Sequence, residues 1–294
     1  MALSEFVRKN YPILLILPAL LTVLVLVIYP LVTSLRISTY NWIFGTRWET
    51  ARYVGLNNYR WLFGGGDYFL GTSIWVTLVY VSCTVLLSLI LGMGIALLLN
   101  RITRYSSIFM SAFIIPLVTM PAVAGLAWRL YFTYDGFVNY LLSFIGLKIN
   151  WYSVNYALLA MVIATIWVST PFFVLVLYAG LTSLPREPYE AAKIDGASRW
   201  LIFKDITLPL MKPVILTATI IQTIDMFRMF DVPYIMFGGG PGSSTEILSI
   251  HISRVAFSMR YLGRGSCLSL LLIAIVLAVT VLLIRSLVRT RRGG

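Results

Sequence analysis

Ser266-Cys-Leu-Ser-Leu-Leu-Leu-Ile-Ala-Ile-Val-Leu-Ala-Val-Thr-Val-Leu-Leu-Ile284 runs without a single charged residue. As a helix rising about 1.5 Å per residue it would be close to the ~30 Å thickness of a bilayer's hydrocarbon core. Five further apolar runs of comparable length lie upstream, at about 12–35, 72–99, 106–133, 155–182 and 210–236. Together they occupy most of the 294 residues, of which 59% are hydrophobic and only 12% charged, with a mean hydropathy of +0.88. A soluble domain carries about 25% charged residues. The sequence therefore predicts an all-α polytopic membrane protein of about six spanning helices. No low-complexity linker or 20–50-residue repeat divides it, so 1–294 reads as one transmembrane domain, with core helices over about 72–284.

The net charge of +12 does not require nucleic acid, because membrane proteins collect Lys and Arg in their cytoplasmic loops. Arg8, Lys9, Arg101 and Arg104, then Arg186, Lys193, Arg199, Lys204 and Lys212, then Arg285, Arg289, Arg291 and Arg292 fall on one side of the six runs. The other side has fewer, spread over long aromatic loops with Trp42, Trp48, Trp61 and Trp151, which are expected as interface anchors. Both termini are then expected in the cytoplasm. The first run is long, and Pro30 leads into further hydrophobics, which favours an uncleaved helix over a signal peptide. Cys83 and Cys267 have no CxxC or histidine spacing, and His251 is the only histidine. Neither a metal centre nor a Ser/His/Asp triad is indicated.

Between the fourth and fifth runs lies one long mixed-charge loop, about 185–208. Glu190-Ala191-Ala192-Lys193 favours a helix, and Gly196 suits its end and reversal. Trp200, Phe203 and Ile206 follow at helical spacing and give a short amphipathic segment. Two short helices joined at a glycine would form a projecting knob suited to a partner's groove. An interfacial loop that merely connects two spans fits the same periodicity.

The residues themselves resemble the EAA loop of importer permeases: Glu190-Ala-Ala, three residues, Gly196, then an apolar stretch ending in Leu208-Pro209. Val54-Gly55-Leu56-Asn57-Asn58-Tyr59, Pro116 and Pro121 with Trp128-Arg129-Leu130-Tyr131-Phe132, and Phe230-Asp231 with Gly238-Gly239-Gly240-Pro241 and Ser244-Thr245-Glu246 extend the resemblance over nearly the whole chain. The chain is similar to the sugar permeases of binding-protein-dependent ABC importers related to the maltose and glycerol-3-phosphate systems. That resemblance implies a coupling helix formed by Glu190, Ala191, Ala192, Asp195, Gly196 and Ala197 and docked on a cytoplasmic ATPase dimer. It further implies a second permease subunit, expected in a heterodimer, an external solute-binding protein, and residence in a bacterial or archaeal cytoplasmic membrane. No GxxxxGK[ST] loop is present, so ATP and Mg are expected on the partner ATPase and no cofactor on this chain. The chain is expected to be a translocation subunit and not itself an enzyme.

Asp225, Arg228 and Asp231 recur every three residues in the fifth run, so they are expected to share a helix face and could pair as neighbours. With Gln222 they read either as the lining of a translocation path or as intramembrane ion pairs that lock helices. Arg129 reads as a snorkelling or gate-pairing residue, and Thr170 and Thr223 as neutral hydrogen-bonding groups. A secondary transporter driven by an ion gradient is the alternative, but most spans lack a central carboxylate and no matching pair of interrupted helices stands out. A membrane enzyme would need converging ionisable groups, which the sequence does not offer. Reporter fusions after Arg292 and within 186–204 should be active only as cytoplasmic fusions. Activity confined to the far side would reverse the orientation.

Overall fold

The computed structural model describes residues 15–101 and 106–292. Arg8, Lys9 and Arg104 of the charge pattern lie outside the described residues. The helices, in chain order, are α1 (Leu15–Ser38), α2 (Asn57–Phe63), α3 (Leu70–Arg101), α4 (Ser106–Val118), α5 (Pro121–Tyr131), α6 (Phe137–Ser143), α7 (Ala157–Thr182), α8 (Glu187–Ile194), α9 (Arg199–Arg228), α10 (Asp231–Phe237), α11 (Leu248–Ser253) and α12 (Leu262–Arg292). Among the described residues α1, α3, α7, α9 and α12 are each long and apolar enough to cross a membrane. The bent pair α4–α5 makes a sixth candidate. Six predicted runs thus correspond to six candidate spans, but the third and fifth runs are broken.

Proline chemistry accounts for both breaks. Pro121 has no N–H to continue a helix, and its ring forces Met120 out of the helical region, to φ −54°, ψ 130°. The axis bends by 94° between α4 and α5. Pro233 would clash with the carbonyl of Met229 in a continuous helix. The chain instead leaves the helix at Met229, with ψ 126°, and restarts at Asp231.

The described residues group into two compact units. One comprises Met1–Tyr68 with Ile252–Leu271, the other Phe69–His251 with Leu272–Gly294. No linker marks this division, which falls inside α11 and α12.

In the first unit, α1 leads into a two-stranded antiparallel ribbon, β1 (Tyr40–Asn41) and β2 (Arg52–Tyr53). Asn58, within the Val54–Tyr59 motif, is buried and donates from Nδ2 to the carbonyls of Ser38 at 2.7 Å and Tyr40 at 2.9 Å. The motif therefore fixes the end of α1 against the ribbon. Trp42 and Trp48 meet edge to face at 5.2 Å, with the Arg36 guanidinium over the Trp48 ring.

In the second unit α3 and α7 form the centre. The buried face of α3 carries Ser73, Val76, Thr77, Tyr80, Thr84, Ser88, Gly92 and Ala96, recurring at helical spacing. Helices in lipid associate by close packing of small residues, which this stripe permits. α7 meets it with Met161, Val162, Phe173 and Leu177, while its Ala160 and Ala164 pack with Ala124 of α5 and Val232 of α10. Tyr80 donates to Thr165 Oγ1 at 3.1 Å across the interface. The core continues onto α9 through Met211, Ala218 and Met226 and onto the Leu272–Val279 part of α12. Trp151, expected at the membrane interface, is buried instead. It donates to Asn139 Oδ1, while Asn139 Nδ2 reaches the carbonyls of Tyr134 and Ile149 and so closes the segment after α5.

Gly92 is the closest approach in this interface, since a Cβ there would lie 2.4 Å from Cβ of the fully buried Phe173. Gly92→Ala should cost about 1–3 kcal/mol through overpacking. Gly94→Ala, two residues on and facing open space, should be neutral or slightly stabilising. Thermal unfolding in detergent compares the two, and equal effects would contradict this packing.

Candidate coupling loop and polar cavity

Helix α8 begins with Pro188 in its first turn and with Glu187 and Glu190 at its positive end, all favourable there. Its C-terminus closes by the Schellman pattern. Ala197 N–H donates to the carbonyl of Ala192 at 2.9 Å, Gly196 N–H to that of Lys193 at 3.1 Å, and Gly196 takes φ +72°. The reversal at Gly196 is therefore a built turn. Ser198 then caps the next helix by accepting from Leu201 N–H at 3.3 Å.

The second half of the loop departs from expectation. The Trp200–Ile206 stretch is no separate short helix but the first turns of α9, which continues unbroken from Arg199 to Arg228. Pro209 cannot supply an N–H to Asp205, and the helix adjusts by a π-turn over Phe203–Thr207, with Leu208 N–H donating to the Phe203 carbonyl. Tyr189 OH of α8 donates to Thr207 Oγ1 at 3.1 Å, which ties the knob to this turn.

Glu190, Ala191, Asp195 and Gly196 are exposed, and Ala192 and Ala197 half-buried, so the structure brings all six predicted loop residues to one projecting corner. Two apolar side chains stand uncovered beside them, Trp200 of the expected amphipathic segment at 69% exposed and Ile194, which the sequence reading did not mark, at 87%.

At the other end of α9, Gln222, Asp225 and Arg228 open with Asp231 onto one cavity of about 310 Å³, shared with Ser169 and Phe172. Their arrangement differs from a single helical face. Asp231 sits in the first turn of α10, beyond the break at Met229. Asp225 Oδ1 and Arg228 Nη1 are 3.9 Å apart with side chains 53% and 73% exposed within the chain. This is a loose, open pair and no buried lock. Thr170 and Thr223 hydrogen-bond back to their own helices, at Ile166 and Thr219. Gln222 is buried and faces the cavity.

Arg129 donates to the carbonyl of Ile235 at 3.2 Å and so joins α5 to α10. The Tyr152 hydroxyl donates to the Arg129 carbonyl at 2.6 Å; burial raises the pKa of this phenol, with the Arg129 charge opposing.

A pair that sequence reading missed is Glu246 and His251. Both are essentially inaccessible, and His251 Nδ1 and Glu246 Oε1 share a hydrogen bond of 2.9 Å. Among the described residues no group of three or more His, Cys, Asp or Glu is disposed to hold a metal ion.

These features define a polytopic α-helical membrane protein with a capped loop projecting between two spans and a polar cavity at the far end of the following helix. The chain belongs to the family described as the binding-protein-dependent transport system inner membrane component, whose pattern it matches over residues 85–292. It is 37% identical to the trehalose/maltose transport system permease protein MalF of Thermococcus litoralis, over 92% of each chain. It is 35% identical to the sulfoquinovosyl glycerol transport system permease protein SmoG of Agrobacterium fabrum, over 95% of this chain and 90% of that one. A bacterial ABC transporter for the import of alginate contains a chain with the same fold, at TM-score 0.81 and 18% identity, covering 98% of this chain and 99% of that one. The chain is thus a permease of the ABC importer class, and the secondary-transporter alternative falls away.

The open Asp225–Arg228 pair, read in a double-mutant cycle, and the buried Glu246–His251 hydrogen bond should differ in thermal unfolding in detergent. Asp225→Asn with Arg228→Gln should show a coupling below about 1 kcal/mol, as for open pairs. His251→Ala alone, which removes a fully buried side chain and its hydrogen bond, should cost about 1–3 kcal/mol. Strong coupling in the first pair, or a negligible loss in the second, would contradict the geometry.

Proposed function

We propose that this chain forms half of the membrane path of an ATP-driven importer for a sugar or related polyol. The substrate is delivered by an external binding protein, and the ATP and Mg are bound on a separate cytoplasmic ATPase dimer. The relatives' names supply the substrate class, and a second permease subunit, different from this one, completes the path. Both termini and the loop face the cytoplasm of a bacterium or archaeon. The observation that carries this reading is the α8–Gly196–α9 corner. Its Schellman turn fixes the shape of the knob, and the uncovered Ile194 and Trp200 give it an apolar surface that water alone would disfavour. Glu190, Ala191, Ala192, Asp195, Gly196 and Ala197 contact the ATPase.

Helix α9 joins that corner to the cavity of Gln222, Asp225, Arg228 and Asp231. At 30 residues it is a rod of about 45 Å. ATPase closure displaces the knob, Tyr189 passes the displacement to the π-turn at Thr207, and α9 carries it to the cavity. Neutral and charged hydrogen-bonding groups there, with Phe172 beside them, suit a polyhydroxylated solute.

Copurification from mild detergent should recover an ATPase and a second permease with this chain. Gly196→Val should insert normally but lose most uptake, because a branched side chain disfavours φ +72°. Unchanged uptake and ATPase association in that variant would reject the coupling role of this turn.

A further inference from the structure

A second pair of cavities has no role in the path. An apolar groove of about 510 Å³ runs along α3 past Ile90, Leu91, Gly94 and Leu98, and it ends at Leu97 and Arg101. Those last two residues also line a larger cavity of about 800 Å³, where α8 and the start of α9 add Lys193, Arg199 and Trp200. Leu97 and Arg101 thus border both spaces. α3 has 32 residues, about 48 Å of helix, which exceeds the ~30 Å hydrocarbon core and carries Arg101 into the headgroup zone. Gly94 faces the open space of this groove, for a Cβ there would meet nothing within 4 Å. The larger cavity has three cationic side chains on its wall and no carboxylate among its lining residues.

We propose that this is a binding site for an anionic phospholipid, with one acyl chain along the Gly94 groove and the phosphate among Arg101, Lys193 and Arg199. The form of the site matches an amphiphile. The groove is apolar along its length up to Arg101, and the cations line the cavity beyond it, where Phe203 adds an aromatic wall. Free phosphate would use the cations alone and leave the groove without a purpose. A helix of another protein would fill the groove but leave three cations facing its end. Because Lys193 and Arg199 flank the Gly196 turn, a bound lipid would brace the loop from its membrane side. The lipid site rests on groove and charge alone, and ATPase docking is a separate question.

The test uses the full chain, purified with its accompanying subunits and placed in nanodiscs of phosphatidylcholine with or without phosphatidylglycerol, with retained lipid counted by native mass spectrometry. Phosphatidylglycerol should be retained preferentially. Arg101→Gln and Arg199→Gln should each lower that preference about fivefold, the effect expected of one cation near a membrane surface. Gly94→Phe should abolish retention by filling the groove, while Arg285→Gln, on α12 and outside the site, should leave it unchanged. No preference in the wild type, or an equal loss with Arg285→Gln, would overturn the site. Displacement by millimolar inorganic phosphate with no effect of Gly94→Phe would reduce it to a soluble-anion site. A wild type that retains no lipid, with Gly94→Phe releasing a companion permease, would assign the groove to a protein helix. ATPase association, measured on the same samples, reads the coupling loop independently of lipid retention.

Discussion

The close approach of α3 to α7 is the contact on which the second unit depends. In lipid there is no hydrophobic gain from bringing two apolar helices together, because hydrocarbon already solvates them; dispersion and a few buried hydrogen bonds must suffice. Dispersion falls off steeply with distance, so the contact requires small residues wherever the axes come nearest. The α3 stripe from Ser73 to Ala96 meets that requirement, and Phe173 of α7 fills the space left at Gly92. Tyr80 and Thr165 add a directional bond that fixes register, as does Leu248 N–H to Thr77 Oγ1 at 2.7 Å. The second of these draws the start of α11 onto the same helix.

Around that centre, prolines determine where backbone can leave a helix. Inside a bilayer every peptide group must be satisfied internally, which makes a break expensive unless the surrounding protein accommodates it. Pro121 and Pro233 produce breaks at Met120 and Met229, and α5 and α10, which follow these breaks, pack against each other. The Arg129 bond to the Ile235 carbonyl satisfies one of the carbonyls in the last turn of α10. Pro209 has a milder effect because it lies two residues into α-helical geometry. A π-turn absorbs it, and α9 passes straight through.

The spans and the knob were legible because each rests on a local signal. Long uncharged runs require no partner to be recognised, and Glu190-Ala-Ala with Gly196 combines helix propensity with a stop. The breaks were less legible, since hydropathy averages over Pro121 and Pro233 and reports continuous runs. Helical spacing put Asp225, Arg228 and Asp231 on one face, yet α9 ends between the second and third; the cavity gathers them through tertiary structure. The ribbon at Tyr40–Asn41 and Arg52–Tyr53 is too short to show alternation. The Glu246–His251 pair has a spacing of five, with Glu246 lying before α11 begins, so no helical face announces it.

The two ends of α9 have contrasting exposure, and this bears on how the helix works. From Met211 through Ala218 to Met226 and Phe227, close to its end, it is packed in the α3–α7 core. Its start carries Trp200 uncovered, and its finish carries the open Asp225 and Arg228 pair. A helix packed along this length and uncovered at its start would pass a displacement of that start along to its finish. Such motion needs a joint that yields without breaking hydrogen bonds, and a π-turn has one residue more per turn than the geometry on either side. Thr207 sits at that joint, buried, accepting from Tyr189 OH and donating to the Ile202 carbonyl at 3.3 Å. The proline that makes the π-turn necessary therefore also puts the compliant element beside the knob, where the displacement enters.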